Sequence, residues 1–492
     1  MTQQLILWSF VFYTVLIFFI SWLSSRKATN QTYFIGNRQS PWFVVAYGMI
    51  GASLSGVTFM SVPGWVGERS FSYMMLVFGY LIGYFVIGSV LLPLYYRLQL
   101  TSIYTYLKER FGFWSHKTGS FFFLLSRSIG SAFRMYLVIN VLQIFLFDSW
   151  GVNFAMTTFI FITLILLYTF KGGVKTIIWT DTLQTSFMIA ALIITIVMIK
   201  NSLGTSFTQL ISDVFDSKYS QMIFTDWQDK RCWWKQILGG TFIAISMTGL
   251  DQEMMQKNIS CRNLRDAQKN MFTFSIILVF VNLLFLILGA VLFMYSHHIG
   301  FDLNSMKTPD DLFPTIAFQH LGPIATTVFL LGLISASYSS ADGTLTALTT
   351  SFSFDILELD KNEKISERRK KITRHIIHVL FALILGGLII FFKTINNESV
   401  ISQIFTIASY TYGPLLGLFA FGLFTKRRTK DIAVPFIAVL SPIICYLLST
   451  YSTQLFNGYQ FDFELLMING ALTFLMLLAF SKKKQLNDVV TK

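Results

Sequence analysis

The sequence predicts an all-α polytopic membrane protein with about thirteen transmembrane helices. Three observations carry that prediction. Hydrophobic residues make up 54% of the 492 and charged residues only 13%, and the mean hydropathy of +0.59 lies outside the range of soluble domains. Apolar runs of roughly 18 residues or more recur along the whole chain, each long enough to cross about 30 Å of hydrocarbon. Lys and Arg collect in every second connecting loop, as the positive-inside rule requires.

The runs follow in order. The first, roughly 5–23, has no basic segment before it and no small-x-small site after it, so it reads as a span and not as a cleaved signal. Five more lie at 42–62, 72–96, 119–147, 152–170 and 176–199, and then comes the longest outer loop, 200–235. Five follow at 236–256, 270–296, 322–353, 375–392 and 399–424, and the last two at 432–451 and 463–480. With the N-terminus outside, the inner loops hold 28 of the basic residues and the outer loops eight, while Arg127 and Arg134 lie within a span. The inner set includes Arg26 and Lys27, Lys108 and Lys117, Lys257, the cluster from Lys361 to Arg374, the "KRRTK" turn and the tail. A multi-pass protein of a cell membrane, of the bacterial inner-membrane kind, is expected, with its C-terminus cytoplasmic. The net charge of +13 is then a topology signal and implies no nucleic acid, although the 361–374 cluster can also touch anionic lipid.

Other function classes find little support. Cys232, Cys261 and Cys445 fall on an outer loop, an inner loop and a span, so no disulfide framework is implied. The loops are too short to bury a soluble core, and no P-loop, HExxH or Cys/His cluster occurs. The six histidines fall mostly in loops or near span ends, so no enzyme is expected, and transport driven by something other than ATP is the natural alternative.

Charge inside a span is costly and usually functional. Here it comprises Arg127, Arg134, Asp181 and Asp342, with Asp251 near a span's inner end. Arg127, closer to an end, is expected to snorkel. "YGMIGASLSGVTFMSVPG" (47–64) and "GGTFIAISMTGLDQ" (239–252) are poor continuous helices, and a break frees carbonyls that only a cavity or an ion can satisfy. They begin the second and seventh spans, five spans apart, which points to an inverted repeat with a site near the midplane.

The run from 322 ends in "LISASYSSADGTLTALTTSF" (333–352), with ten hydroxyl side chains and Asp342 at membrane depth. On a helix Ala336, Ser339, Ser340, Gly343 and Ala347 form one stripe with Asp342 at its edge. Close packing of small residues explains such a stripe in part, but packing requires no carboxylate. Hydroxyls, freed carbonyls and a carboxylate make an all-oxygen set suited to a hard cation, and sodium fits that chemistry.

These stretches resemble the sodium:solute symporter family. "SSADGTLTALTTSFSFDI" is similar to its eighth core helix, and "YFIGNRQSP", "GGVKTIIWTDTLQ", "TGLDQEMMQK" and "YGPLLGLFAFGLF" agree in order. The resemblance implies the five-plus-five inverted repeat also seen in LeuT. One N-terminal extra helix would occupy 1–41 with its linker, the halves 42–199 and 236–424 would flank the outer loop 200–235, and two further helices and a cytoplasmic tail would fill 425–492. It also implies Na+ as the coupling ion, one or two per cycle, and a small-molecule solute as the cargo. The family's common sodium site falls on the carbonyls of Gly51, Leu54 and Ala336 and the hydroxyls of Ser339 and Ser340. A second site found in some members falls on Asp181, Ser339, Asp342 and Gly343. Those members carry Ser at the last two positions, so Asp342 either strengthens that site or holds a proton or a structural hydrogen bond.

For the solute, the positions of the family's hexose contacts hold Thr58, Ala244, Met247 and an uncharged stretch from Met271 to Met294. The third core helix has Arg134 instead, where the family's sialic-acid carriers are similar, and a guanidinium is a bidentate partner for a carboxylate. Ser55, Thr58, Arg134 and Met247 are the candidate solute contacts. An organic anion such as a sugar acid (sialic acid) or a monocarboxylate is the expected cargo. A neutral solute, or a sodium-independent facilitator on the same fold, is the alternative.

Overall fold

In a computed structural model, which describes residues 2–25, 30–359, 364–395 and 400–482, each of the thirteen apolar runs has a helical counterpart. Arg26, Lys27, Lys361 and the tail residues Lys483, Lys484 and Lys492 lie outside the described residues. The principal helices are α1 (Thr2–Ser25), α2 (Trp42–Ser53), α3 (Gly56–Arg69), α4 (Tyr73–Val86), α5 (Phe113–Leu142), α6 (Phe154–Leu203) and α7 (Trp233–Ala244). They continue with α8 (Gln252–Ile259), α9 (Leu264–His298), α10 (Gly322–Ser351), α11 (Glu367–Ile395), α12 (Val400–Phe424), α13 (Val434–Thr450) and α14 (Leu465–Ala479). Among the described residues nine helical runs are long and apolar enough to cross a membrane, and Trp42–Ser53, Phe154–Phe170 and Leu465–Ala479 are shorter apolar helices. The shortfall from thirteen has physical causes: the second and seventh runs are broken in the middle, α6 is two arms bent at Gly173, whose φ of 54° no helix accommodates, and α14 has only 15 residues.

The outside of the bundle is apolar. Phe12, Phe85, Phe280, Leu383 and Phe436 are all exposed, as on a surface that faces lipid. Inside, α10 packs against α6, α4 against α7, α2 against α6 and α12 against both α5 and α14. The C-terminal end of α10 is fastened by polar groups. Asp355 accepts hydrogen bonds from the hydroxyls of Ser102 and Ser351, both at 2.7 Å, and lies 3.0 Å from His116 Nε2. Beyond it Lys108 and Lys117 clamp Glu358 and hold its carboxyl down to about 2.

Candidate functional site

Two broken helices and α10 build the site. α2 ends because Leu54 (φ −87°, ψ 78°) leaves the helical region, and Ser55 (φ −72°, ψ 175°) is extended before α3 begins. A Cβ on Gly56 would lie 2.7 Å from Val138 Cγ2 and 4.0 Å from Ser337 N, so the break is wedged between α5 and α10. The Gly51 amide donates to Thr185 Oγ1 at 3.0 Å, and that hydroxyl donates to the Asp181 carbonyl at 2.8 Å. The turn of α2 before the break is thereby keyed to the turn of α6 that carries Asp181.

The second break comes five spans later. α7 widens into a π turn at Ile245–Gly249, and Asp251 (φ −106°, ψ 124°) caps α8 by accepting from the Met254 amide. Here the freed carbonyls have side-chain donors: Tyr95 Oη donates to Gly249 O at 2.8 Å and Tyr104 Oη to Leu250 O at 2.7 Å. No side-chain donor reaches the carbonyls of Gly51 or Leu54 among the described residues. The first break therefore keeps oxygens available for an ion, and the second does not.

On α10, Ala336, Ser339, Ser340 and Asp342 are buried. Ser340 Oγ donates to Ala336 O at 3.2 Å and Ser339 Oγ to Asp181 Oδ1 at 2.8 Å. Each serine has committed its proton, which leaves oxygen lone pairs for a cation. Asp342 turns toward α6, where Tyr168 Oη donates to its Oδ2 at 3.1 Å, and the Gly343 amide donates to its Oδ1 at 2.6 Å. Gly343 faces Glu253: a Cβ there would lie 3.1 Å from Glu253 Cγ. Of the residues expected at a second sodium site, Asp181 and Ser339 are in contact, while Asp342 and Gly343 are engaged with other groups.

Three expectations are corrected. Arg127 does not snorkel; it is 5% exposed, paired with Glu253 and 3.5 Å from Asp251. Lys257 is no inner-loop charge; its Nζ lies 2.7 Å from Asp181 Oδ2 and 3.3 Å from Glu253 Oε1. Asp181 and Asp342 are not the only carboxylates inside, because Asp251 and Glu253 are also buried. Tyr412 Oη donates to Asp251 at 2.7 Å and Thr344 Oγ1 to Glu253 at 3.0 Å. The physical reason is one feature: α8 is not a loop but a buried helix beyond the break. The signal was in the sequence, since Glu253 and Lys257 stand at i and i+4, the spacing of a helical ion pair.

Ser55, Thr58, Arg134 and Met247 do come together. With Arg127 and Asn282 they line one cavity with an empty volume of ≈ 720 Å³. Arg134 makes no hydrogen bond or ion pair among the described residues, although four carboxylates share the interior; Arg127, Lys257 and Tyr412 hold three of them, and Tyr168 the fourth. Asn282 was missed in the sequence. Its Nδ2 donates to Leu278 O at 2.8 Å, which fixes the amide, and its Oδ1 is buried without a partner among the described residues.

Known proteins agree with this architecture. The model of the "Sodium:solute symporter family" matches residues 33–448. The sodium/sialic acid symporter SiaT of Proteus mirabilis is 24% identical over 473 residues, covering 92% of each chain. Human sodium-coupled monocarboxylate transporter 1 is 24% identical over 410 residues, 81% of this chain and 65% of that one. Among solved structures, a substrate-bound, outward-open Na+-coupled sialic acid symporter superposes with a TM-score of 0.84 at 18% identity, over 98% of this chain and 99% of the other. Mhp1, a nucleobase-cation-symport-1 transporter, superposes with a TM-score of 0.55 at 11% identity, over 91% and 93%. At those identities the superpositions establish the fold, a LeuT-like inverted repeat. Because the family model spans most of its length, this multi-pass membrane protein belongs to the sodium:solute symporter family, and sodium is the ion that drives its transport.

Proposed function

We propose that the cargo is an organic anion, a sugar acid such as sialic acid or a smaller monocarboxylate, whose carboxylate docks on Arg134. The observation that carries this reading is a half-buried guanidinium that lines the cavity and has no partner within the described residues. An arginine at that depth requires a negative charge, and a bidentate carboxylate matches its fork. Relatives named for sialic acid and for monocarboxylates support the class. The free Asn282 oxygen favours a hydroxylated anion over a plain one, because it accepts from an O–H that the plain one lacks. Ser55 and Thr58 offer hydroxyls to the remaining oxygens.

Sodium, in this reading, binds to the carbonyls of Gly51, Leu54 and Ala336 and the hydroxyls of Ser339 and Ser340, where α10 meets the break in α2–α3. We assign 42–199 and 236–424 to the two repeats, between the N-terminal helix with its linker (1–41), the outer loop (200–235) and the C-terminal pair with its tail (425–492). Alternating access then exposes the site to either side of the cell membrane.

Uptake into proteoliposomes under a sodium gradient tests the cargo, with sialic acid, a short monocarboxylate and a neutral hexose compared. Arg134→Ala should raise the half-saturating concentration of the carried anion roughly ten- to a hundredfold, the equivalent of a charge-assisted contact worth about 1.5–3 kcal/mol. Arg134→Lys should be impaired as well, since an ammonium cannot reproduce the planar fork. Near-normal affinity in Arg134→Ala, or transport of the hexose alone, overturns the reading.

A further inference from the structure

Asp181 is fully buried, and each of its oxygens has one close donor. Ser339 Oγ is 2.8 Å from Oδ1, and Lys257 Nζ is 2.7 Å from Oδ2. A carboxylate taken out of water needs a compensating cation or a proton. Between oxygen-rich helices that cation can be a bound alkali ion or a tethered ammonium, and the two compete for the same lone pairs. We propose that the Lys257 ammonium takes the place against Asp181 that a second sodium ion would occupy, so that each molecule binds a single sodium. The inference rests on the reading above that the ion binds at Ser339, Ser340 and the three carbonyls.

Three features of the packing support the tethered cation. Lys257 is on the last turn of α8, a short helix buried along its whole length, so the ammonium is delivered by rigid backbone and not by a loop. Glu253, one turn earlier, holds the ammonium from the other side at 3.3 Å. With the Lys257 side chain 3% exposed, water cannot replace either carboxylate. The other oxygens needed to complete a sodium shell beside Asp181 are also engaged. Asp342 takes its hydrogen bonds from Tyr168, Thr180 and the Gly343 amide and forms no ion pair among the described residues. The space next to Gly343 is filled by Glu253.

Equilibrium binding of ²²Na+ to the purified full-length chain in detergent, with no solute present, tests this without reference to the cargo. The wild type should bind one sodium per chain, and Asp181→Asn should still bind one. Lys257→Arg should also bind one, whereas Lys257→Gln should bind two, because it leaves Asp181 without its cation and opens the place to an ion. Two ions on the wild type, a count that falls in Asp181→Asn, or a single ion on folded Lys257→Gln would each overturn the proposal. If Lys257→Gln does not fold, the wild-type and Asp181→Asn counts decide alone. Ser340→Ala reports on the other reading: if it leaves sodium affinity unchanged, the Ser339–Ser340 site is wrong whatever the count.

Discussion

Arg127 and Glu253 form a buried charged pair inside the bundle, and its energetics differ from those of a surface pair. Removing Arg127 leaves Asp251 without its cation and Glu253 with Lys257 alone, and breaking a buried pair costs about 3–5 kcal/mol. Arg127→Met should therefore lower the thermal midpoint of the detergent-solubilised protein sharply, because Glu253 and Asp251 both lose a counter-charge. Adding Glu253→Met should restore part of the loss, as coupled residues are non-additive; a double variant worse than the sum of the singles would disprove the pairing. At this scale the sequence was legible where a charge interrupts an apolar run, as Asp181, Asp342 and Arg134 do. It was misread in "LDQEMMQK", where the seventh run was ended at 256, Glu253 was passed over among five charged or amide side chains in eight residues, and Lys257 was left to the inner loop. Mean hydropathy does not distinguish polar groups that face water from polar groups that neutralise one another. Asn282 escaped for the opposite reason: one amide in a strongly apolar helix leaves no periodic trace.

At the scale of the elements, glycine decides how close α4 and α7 lie. A Cβ on Gly79 would meet Gly240 Cα at 3.0 Å and Thr241 N at 2.9 Å, and one on Gly240 would meet Leu76 Cα at 3.1 Å. These atoms are backbone and cannot turn aside. Gly240→Leu should separate the helices, with an overpacking cost of about 1–3 kcal/mol or more. It should also weaken solute binding, because α7 leads directly to Met247 in the cavity wall. Gly387→Leu on α11 is the control, since nothing lies within 4 Å of its Cβ position; equal losses in both variants would show that packing is not the cause. The sequence located both interrupted helices but not the kind of interruption. Gly239 and Gly240 read as helix breakers, yet α7 runs straight through them and leaves the helix only at Leu250 and Asp251. A glycine that admits a neighbouring backbone and a glycine that ends a helix are the same letter, and only the partner helix tells them apart.

Over the whole molecule, orientation follows from charges that the fold leaves at the surface. Burial of Lys257 and Arg374 takes two basic residues from the inner tally and burial of Lys235 takes one from the outer one, so the asymmetry persists. The first turns of α11 carry Arg368, Arg369, Lys370 and Lys371, while the loop between α6 and α7 carries Asp213, Asp216, Asp226 and Asp229 beside its few lysines. Translocating the α11 cluster would be opposed by the membrane potential at about 2.3 kcal/mol per charge per 100 mV, so the expected orientation has the cluster in the cytoplasm and the acidic loop outside. The native thiols will not confuse a labelling test, because Cys232, Cys261 and Cys445 are all buried. In intact cells a membrane-impermeant maleimide should label Asp226→Cys, an exposed position, and should label Arg369→Cys, also exposed, only after permeabilisation. The reverse pattern would invert the molecule. The sodium gradient would then act from the opposite end of the same site, and the solute would still move inward with the ion, because the gradient and not the orientation of the carrier sets the direction of symport.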